Sequence, residues 1–154
     1  MNQRVKLLIL FVGLLLVGCS SESLPGKKPP DVFIEWNKEK FETVLGTYCW
    51  NSGKNDVCVD TTGPKDLLEG KKRLRVKAGD RLKLVMDYEP KPNEISLTQM
   101  SGEQEKKVVM TNQYFTAPTE KGLYYYSYSV WWMDEKEKNV SKGDAHYAFA
   151  LEVY

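Results

Sequence analysis

Three cysteines, Cys19, Cys49 and Cys58, and a single histidine, His146, are the residues of this 154-residue chain best suited to covalent or metal chemistry. Cys49 and Cys58 flank a turn-rich stretch, Asn51-Ser52-Gly53-Lys54-Asn55-Asp56, that would fold the two thiols opposite each other. Two cysteines and one distant imidazole fall short of a tetrahedral zinc set, so no metal or cofactor is assigned. The same stretch shares part of the spacing of a calcium loop, but it lacks the acidic start and the closing glutamate. Turn chemistry explains it better. Catalysis needs a constellation, and no Gly-x-Ser-x-Gly elbow, His-Glu-x-x-His helix or phosphate-binding glycine loop is present. His146 precedes the apolar Tyr147 in an alternating stretch, so it is expected to point away from the core as a solvated strand residue. No catalytic residue is read from the sequence.

The aromatic residues offer binding instead. Trp50 borders the Asn51–Asp56 turn, and Trp131-Trp132-Met133 leads into a charged connection at 134–143. Loops on a rigid frame commonly carry binding, and exposed Trp and Tyr contribute disproportionately to it. If Tyr126 and Trp132 face a core, Tyr125 and Trp131 face out. Trp50, Tyr125 and Trp131 are therefore the candidate ligand-binding residues, against the plainer alternative that their rings cover a sheet or fill the core.

The N-terminus says where such a domain would work. Arg4 and Lys6 precede an eleven-residue apolar run, Leu7 to Val17, and Leu16-Val17-Gly18-Cys19 closes it. Eleven residues at helical rise cover roughly half of a ~30 Å bilayer core, too little for a spanning helix. A plain secretory signal would leave Cys19 an incidental thiol. The cationic start, short apolar core and small residues before Cys19 resemble a bacterial lipoprotein signal, of the kind found on small lipoproteins of Gram-positive bacteria. The resemblance implies that residues 1–18 are a signal peptide, that Cys19 receives a diacylglyceryl thioether, and that cleavage leaves Cys19 as the lipidated N-terminus. Two chains of the palmitate type bury tens of methylenes at ~0.8 kcal/mol each, an effectively permanent anchor. The expected location is the cell membrane, lipid-anchored on its extracytoplasmic face.

Removing residues 1–18 takes away Arg4 and Lys6 and no acid, leaving 20 basic against 21 acidic residues, a formal charge of −1. A near-neutral chain argues against nucleic acid as a partner. The one short basic block is Lys71-Lys72-Arg73. Residues 19–30, polar and holding three prolines, read as a flexible tether that offers nothing for a core and reaches at most ~40 Å. Since an exported domain meets an oxidising environment, a Cys49–Cys58 disulfide is expected.

From residue 31 to 154 the dominant signal is apolar–polar alternation with period two, bounded by Gly, Pro, Asn and Asp. It predicts nine short strands: 31–36, 41–50, 57–61, 73–77, 81–88, 94–100, 106–111, 122–132 and 145–154. A single helical turn is expected at Pro64–Leu68. Leu74, Val76, Leu82, Leu84, Met86 and Tyr88 share one face, and Lys77-Ala78-Gly79-Asp80 supplies a tight turn. So many short strands imply an all-β, antiparallel β-sandwich, with an up-and-down barrel as the other closure. Gly122-Leu123-Tyr124 resembles the Gly-x-Tyr start of the penultimate strand of immunoglobulin-like sandwiches, and 144–154 resembles their last strand. That places Tyr124, Tyr126, Tyr128, Val130 and Trp132 inward, facing Tyr147, Phe149, Leu151 and Val153.

Fold class does not carry function. The expectation is a non-catalytic binding or interaction module, tethered to the lipid membrane through acylated Cys19 and holding an envelope protein, peptide or glycan. The alternative is a small envelope hydrolase or a protease-inhibitor-like protein that inserts a loop into an active site.

Overall fold

Alternation is realised as eleven strands and one helical turn in the computed structural model, which describes residues 23–53 and 56–154; Cys19 and residues 1–18 lie outside them. The strands are β1 (Val32–Trp36), β2 (Glu39–Glu42), β3 (Val44–Asn51), β4 (Asp56–Val59), β5 (Leu74–Val76), β6 (Arg81–Met86), β7 (Glu94–Ser101), β8 (Gln104–Val108), β9 (Tyr114–Thr116), β10 (Gly122–Met133) and β11 (Ser141–Val153), with α1 (Pro64–Leu67) after β4. Two sheets form. The smaller runs β2-β1-β6-β9, the larger β4-β3-β11-β10-β7-β8, and β5 pairs with β11 in parallel. The order β1-β6-β9 opposite β7-β10-β11 is that of strands A-B-E opposite C-F-G in an immunoglobulin-like sandwich. Two separate sheets exclude the closed barrel.

The inward residues are those the alternation predicts. Tyr126, Val130, Tyr147 and Leu151 are at most 1% exposed, and Tyr124, Tyr128, Trp132, Phe149 and Val153 are buried with them. Tyr126 stacks on Phe149 with centroids 4.8 Å apart, and its hydroxyl donates to Gln99 Oε1 at 3.0 Å, which satisfies a buried amide. Tyr124, two residues into β10, donates to the Glu120 carbonyl at 2.9 Å, forming the tyrosine corner of this fold class.

Two strands escape the sequence pattern. The expected strand 41–50 breaks at Thr43, whose N–H and Oγ1 both bond the Val32 carbonyl while the chain passes from the smaller sheet to the larger. The two-residue turn Asn37-Lys38, with both φ positive, starts that hairpin. The short β9 lies beyond a similar turn at Asn112-Gln113. The Lys77–Asp80 turn does form, but it carries the chain between sheets. The outer edges of the sheets carry Glu39, Lys40 and Glu42 on β2, Glu105, Lys106 and Lys107 on β8, and Asp56 on β4.

The tether expectation is corrected for residues 24–30, which pack on the domain as a strap. Leu24 is 3% exposed and Pro29 is fully buried. Leu24 N donates to Asn51 O (3.0 Å), Trp50 Nε1 to Gly26 O (3.1 Å), Tyr88 Oη to Pro25 O (2.8 Å) and Tyr147 Oη to Pro30 O (2.6 Å). Composition hid this, because the segment contributes only Leu24 and Pro29 to the core beside a row of carbonyls. Residue 143 must be glycine to admit the strap, since a Cβ there would stand 2.5 Å from Leu24 Cδ1 and 3.0 Å from Trp50 Cε3. Among the described residues, no helix is long and apolar enough to cross a membrane.

Leu24→Ala is expected to cost about 2–5 kcal/mol in denaturant unfolding, as a buried leucine does; a loss under about 0.5 kcal/mol would return the segment to a tether. Burial also raises the phenols of Tyr88 and Tyr128 to about 12, and those of Tyr126 and Tyr147 further. A raised folded-state pKa gives stability that is complete below the unfolded value near 10 and lost as pH climbs toward 12. In alkaline titration followed at 295 nm, these four tyrosines should ionise only with unfolding.

Candidate functional site

The long hairpin of β10 and β11 turns every second residue onto the outer face of the larger sheet. Register sets Trp131 opposite Asp144, Ser129 opposite His146, Ser127 opposite Ala148 and Tyr125 opposite Ala150, with Glu94, Ser96, Thr98 and Met100 of β7 alongside. The outcome is a belt of small hydroxyl side chains between an indole at one end and a phenol at the other.

Trp131 and Tyr125 point outward as predicted, and both are half-buried. Tyr125 joins a small cluster with Leu68, Ala148 and Ala150 under α1, so its ring acts partly as a cover for that turn. Trp131 meets the His146 ring edge-on at 5.8 Å and 89°. His146 Nδ1 lies 2.7 Å from Ser129 Oγ, so one of the two donates to the other. His146 therefore faces away from the core, yet it belongs to a local constellation that its lone place in the sequence did not reveal.

A β-bulge shapes the surface beside it. Gly46 and Thr47 of β3 together oppose His146, where the pairing with β11 shifts register. Gly46 has to be small, since a Cβ would lie 3.2 Å from the His146 carbonyl oxygen, Leu67 Cδ2 and Thr61 Oγ1. The displaced backbone and α1 enclose a groove of about 290 Å³, lined by Thr47, Thr61, Leu67, Ser127 and His146 among others. Thr47 Oγ1 is fixed by Asp60 Oδ1 at 3.1 Å and by the Thr61 N–H at 3.1 Å. An isolated glycine within a strand pattern was the available signal for this bulge. Hydroxyls, an imidazole and an indole edge suit a ligand that offers both hydrogen bonds and a flat apolar face.

Trp50 does not belong to the surface. It is 2% exposed, donates to Gly26 O, and packs edge-on against Tyr88 (5.8 Å) and Trp132 (5.0 Å). Its neighbour Cys49 pairs across the strands with Cys58 in a disulfide, Cα–Cα 4.1 Å, and Cys58 is exposed. Alternation then sends Trp50 inward, and its nomination as a contact residue is corrected.

The charged connection is also shorter than expected, because β10 runs on to Met133 and β11 starts at Ser141, leaving seven residues, 134–140. They are wound tightly. Asp134 Oδ1 accepts from the N–H groups of Lys136 (2.7 Å) and Glu137 (2.9 Å), and Asp134 N donates to Val140 O (2.7 Å). Those two backbone donors, with Lys142 Nζ 3.4 Å away, hold the Asp134 carboxyl below its usual range. Among the described residues, no group of three or more His, Cys, Asp or Glu side chains is placed to hold a metal.

Fold and face define an immunoglobulin-like sandwich with a shallow, largely apolar groove, bordered by Thr and Ser side chains, beside an outward indole. No protein-family model, curated protein or solved structure matches the chain.

Trp131→Ala removes an outward ring and should leave the melting temperature within a few degrees. Trp132→Ala empties a buried site and should cost about 3–5 kcal/mol. Thermal melts of the two variants decide it, and the reverse ranking would invert the facing of β10.

Proposed function

We propose that this chain is a membrane-anchored extracytoplasmic lipoprotein whose sandwich is a non-catalytic binding module for an envelope protein, peptide or glycan. The anchor rests on Leu16-Val17-Gly18-Cys19 behind its apolar run. The binding role rests above all on one observation: Trp131 stands outward on β10, a strand paired on both sides, beside His146 and an open groove. A ring held on a rigid frame loses little freedom on binding, which favours it as a contact residue. The 134–140 hairpin, closed on itself by Asp134, is less suited to enter another protein's active site, so the sheet face rather than the loop carries the reading.

The strap alters how the module would be presented. Leu24 is pinned near the 134–140 end, and it lies five residue steps from Cys19, about 17 Å at full extension. An acylated Cys19 would hold that end against the bilayer and turn the Trp131 face sideways, parallel to the membrane plane.

The Ser129–His146 bond favours a second reading, a small envelope hydrolase. Binding is preferred, because Ser129 is only 9% exposed. His146→Ala separates the two: a hydrolase that uses this imidazole loses turnover by orders of magnitude, whereas a binding module shows no turnover in either form and at most a weaker hold on its ligand.

In cells fed a labelled fatty acid, the wild-type protein should sediment with membranes and carry label, and Cys19→Ala should do neither. Label and sedimentation that survive the substitution would refute the anchor. Captured on beads with its lipid in neutral detergent, the wild-type protein should retain a specific envelope component that Trp131→Ala retains several-fold less.

A further inference from the structure

The larger sheet has a gap in its flank. On one side of β11, β3 pairs as far as Val44 with Ala148, and β5 begins with Leu74 on Leu151, so Phe149 and Ala150 have no strand partner there. The β2 edge of the smaller sheet faces this gap, and the segment after α1 runs along it. Between them lies a groove of about 510 Å³, which meets the one beside His146 only at Ala148 and is within the size range of small-ligand sites.

Its floor is hydrocarbon. Ile34, 1% exposed, and Phe149, 3% exposed, belong to the main core, and Phe41 and Leu74 continue the surface outward. Its mouth is cationic. Lys71, Lys72 and Arg73 line one side, and Lys40 lies on β2. Lys71, Lys72 and Arg73 are exposed, and none has an ion-pair partner among the described residues; Glu42 is the one acid in the lining. Lys40 turns the other way, its Nζ 5.9 Å from the ring centre of Phe33 on the face opposite Ile34 and Phe41.

We infer that this groove binds a single-chain anionic amphiphile, with its hydrocarbon chain over Phe149, Ile34 and Phe41 and its carboxylate or phosphate head on the Lys71–Arg73 row. Each half of the site demands one half of the ligand. A free anion would leave the apolar floor wet, and a neutral hydrocarbon would leave the cations unanswered. Strand addition by a peptide is disfavoured, since the unpaired stretch of β11 is two residues long, too short for a ladder. This inference stands apart from the Trp131 face and does not need Cys19 to be acylated.

The test uses the full chain in nanodiscs of neutral phosphatidylcholine, irradiated with a palmitate analogue that carries a diazirine in its chain. Cross-links should map to peptides holding residues 40–44, 68–74 or 148–150. Unlabelled palmitate or a lysophosphatidic acid should suppress them, telling a carboxylate from a phosphate head by relative potency, whereas a quaternary ammonium of equal chain length should not. The triple variant Lys71→Glu, Lys72→Glu, Arg73→Glu changes only exposed side chains and should lower labelling of these peptides about tenfold. Labelling spread over the whole surface, equal competition by the cationic amphiphile, or indifference to the charge reversal would each overturn the inference.

Discussion

Large rings with polar tips are the constraint on which the rest of this structure depends. An indole or phenol contributes much apolar area to a core, but its N–H or O–H must find an acceptor once water is excluded. Here the acceptors are carbonyls at the margins of the sandwich: Gly26 for Trp50, Pro25 for Tyr88, Pro90 for Trp132, Pro30 for Tyr147 and Glu120 for Tyr124. Three of these five belong to prolines, which present a carbonyl and no competing donor. The strap is thus part of the core's hydrogen bonding. Without residues 25–30, three buried or half-buried rings would lose their partners together.

The same constraint divides what the sequence shows from what it hides. Strict alternation over 122–132 and 145–154 announces both strands and their facing, because any slip would turn tyrosines and tryptophans out to water. The Cys49–Cys58 pair was legible from a turn-rich spacer. Trp50 was misplaced because its position beside a turn outweighed its position next to Cys49, although a disulfide on one face fixes the neighbour on the other. The break at Thr43 is invisible to period-two counting, since the chain stays extended while changing sheets. The strap is invisible to hydropathy, since its contribution is backbone oxygen.

The outer face was half legible. Trp131 and Tyr125 follow from alternation, and what lies around them does not. The proximity of Ser129 to His146 depends on the register of the β10–β11 hairpin, and the bulge at Gly46-Thr47 on pairing with a strand some hundred residues away in sequence. Asp134 shows the converse, for a charged stretch that reads as slack is tied down by a single carboxylate accepting two backbone N–H groups.

Charge on the sheet edges has a consequence for crowding. A protein held on a bilayer is confined to two dimensions, where copies collide far more often than in free solution, and an open strand edge is a template for joining a neighbour. Here β2 carries Glu39, Lys40 and Glu42, β8 carries Glu105, Lys106 and Lys107, and β4 is four residues long and clamped by its disulfide. Sideways pairing of two copies would bury charge, and β4 offers a ladder of only four residues. Were the chain held on a bilayer as proposed, these three edges would oppose sideways joining of neighbouring domains.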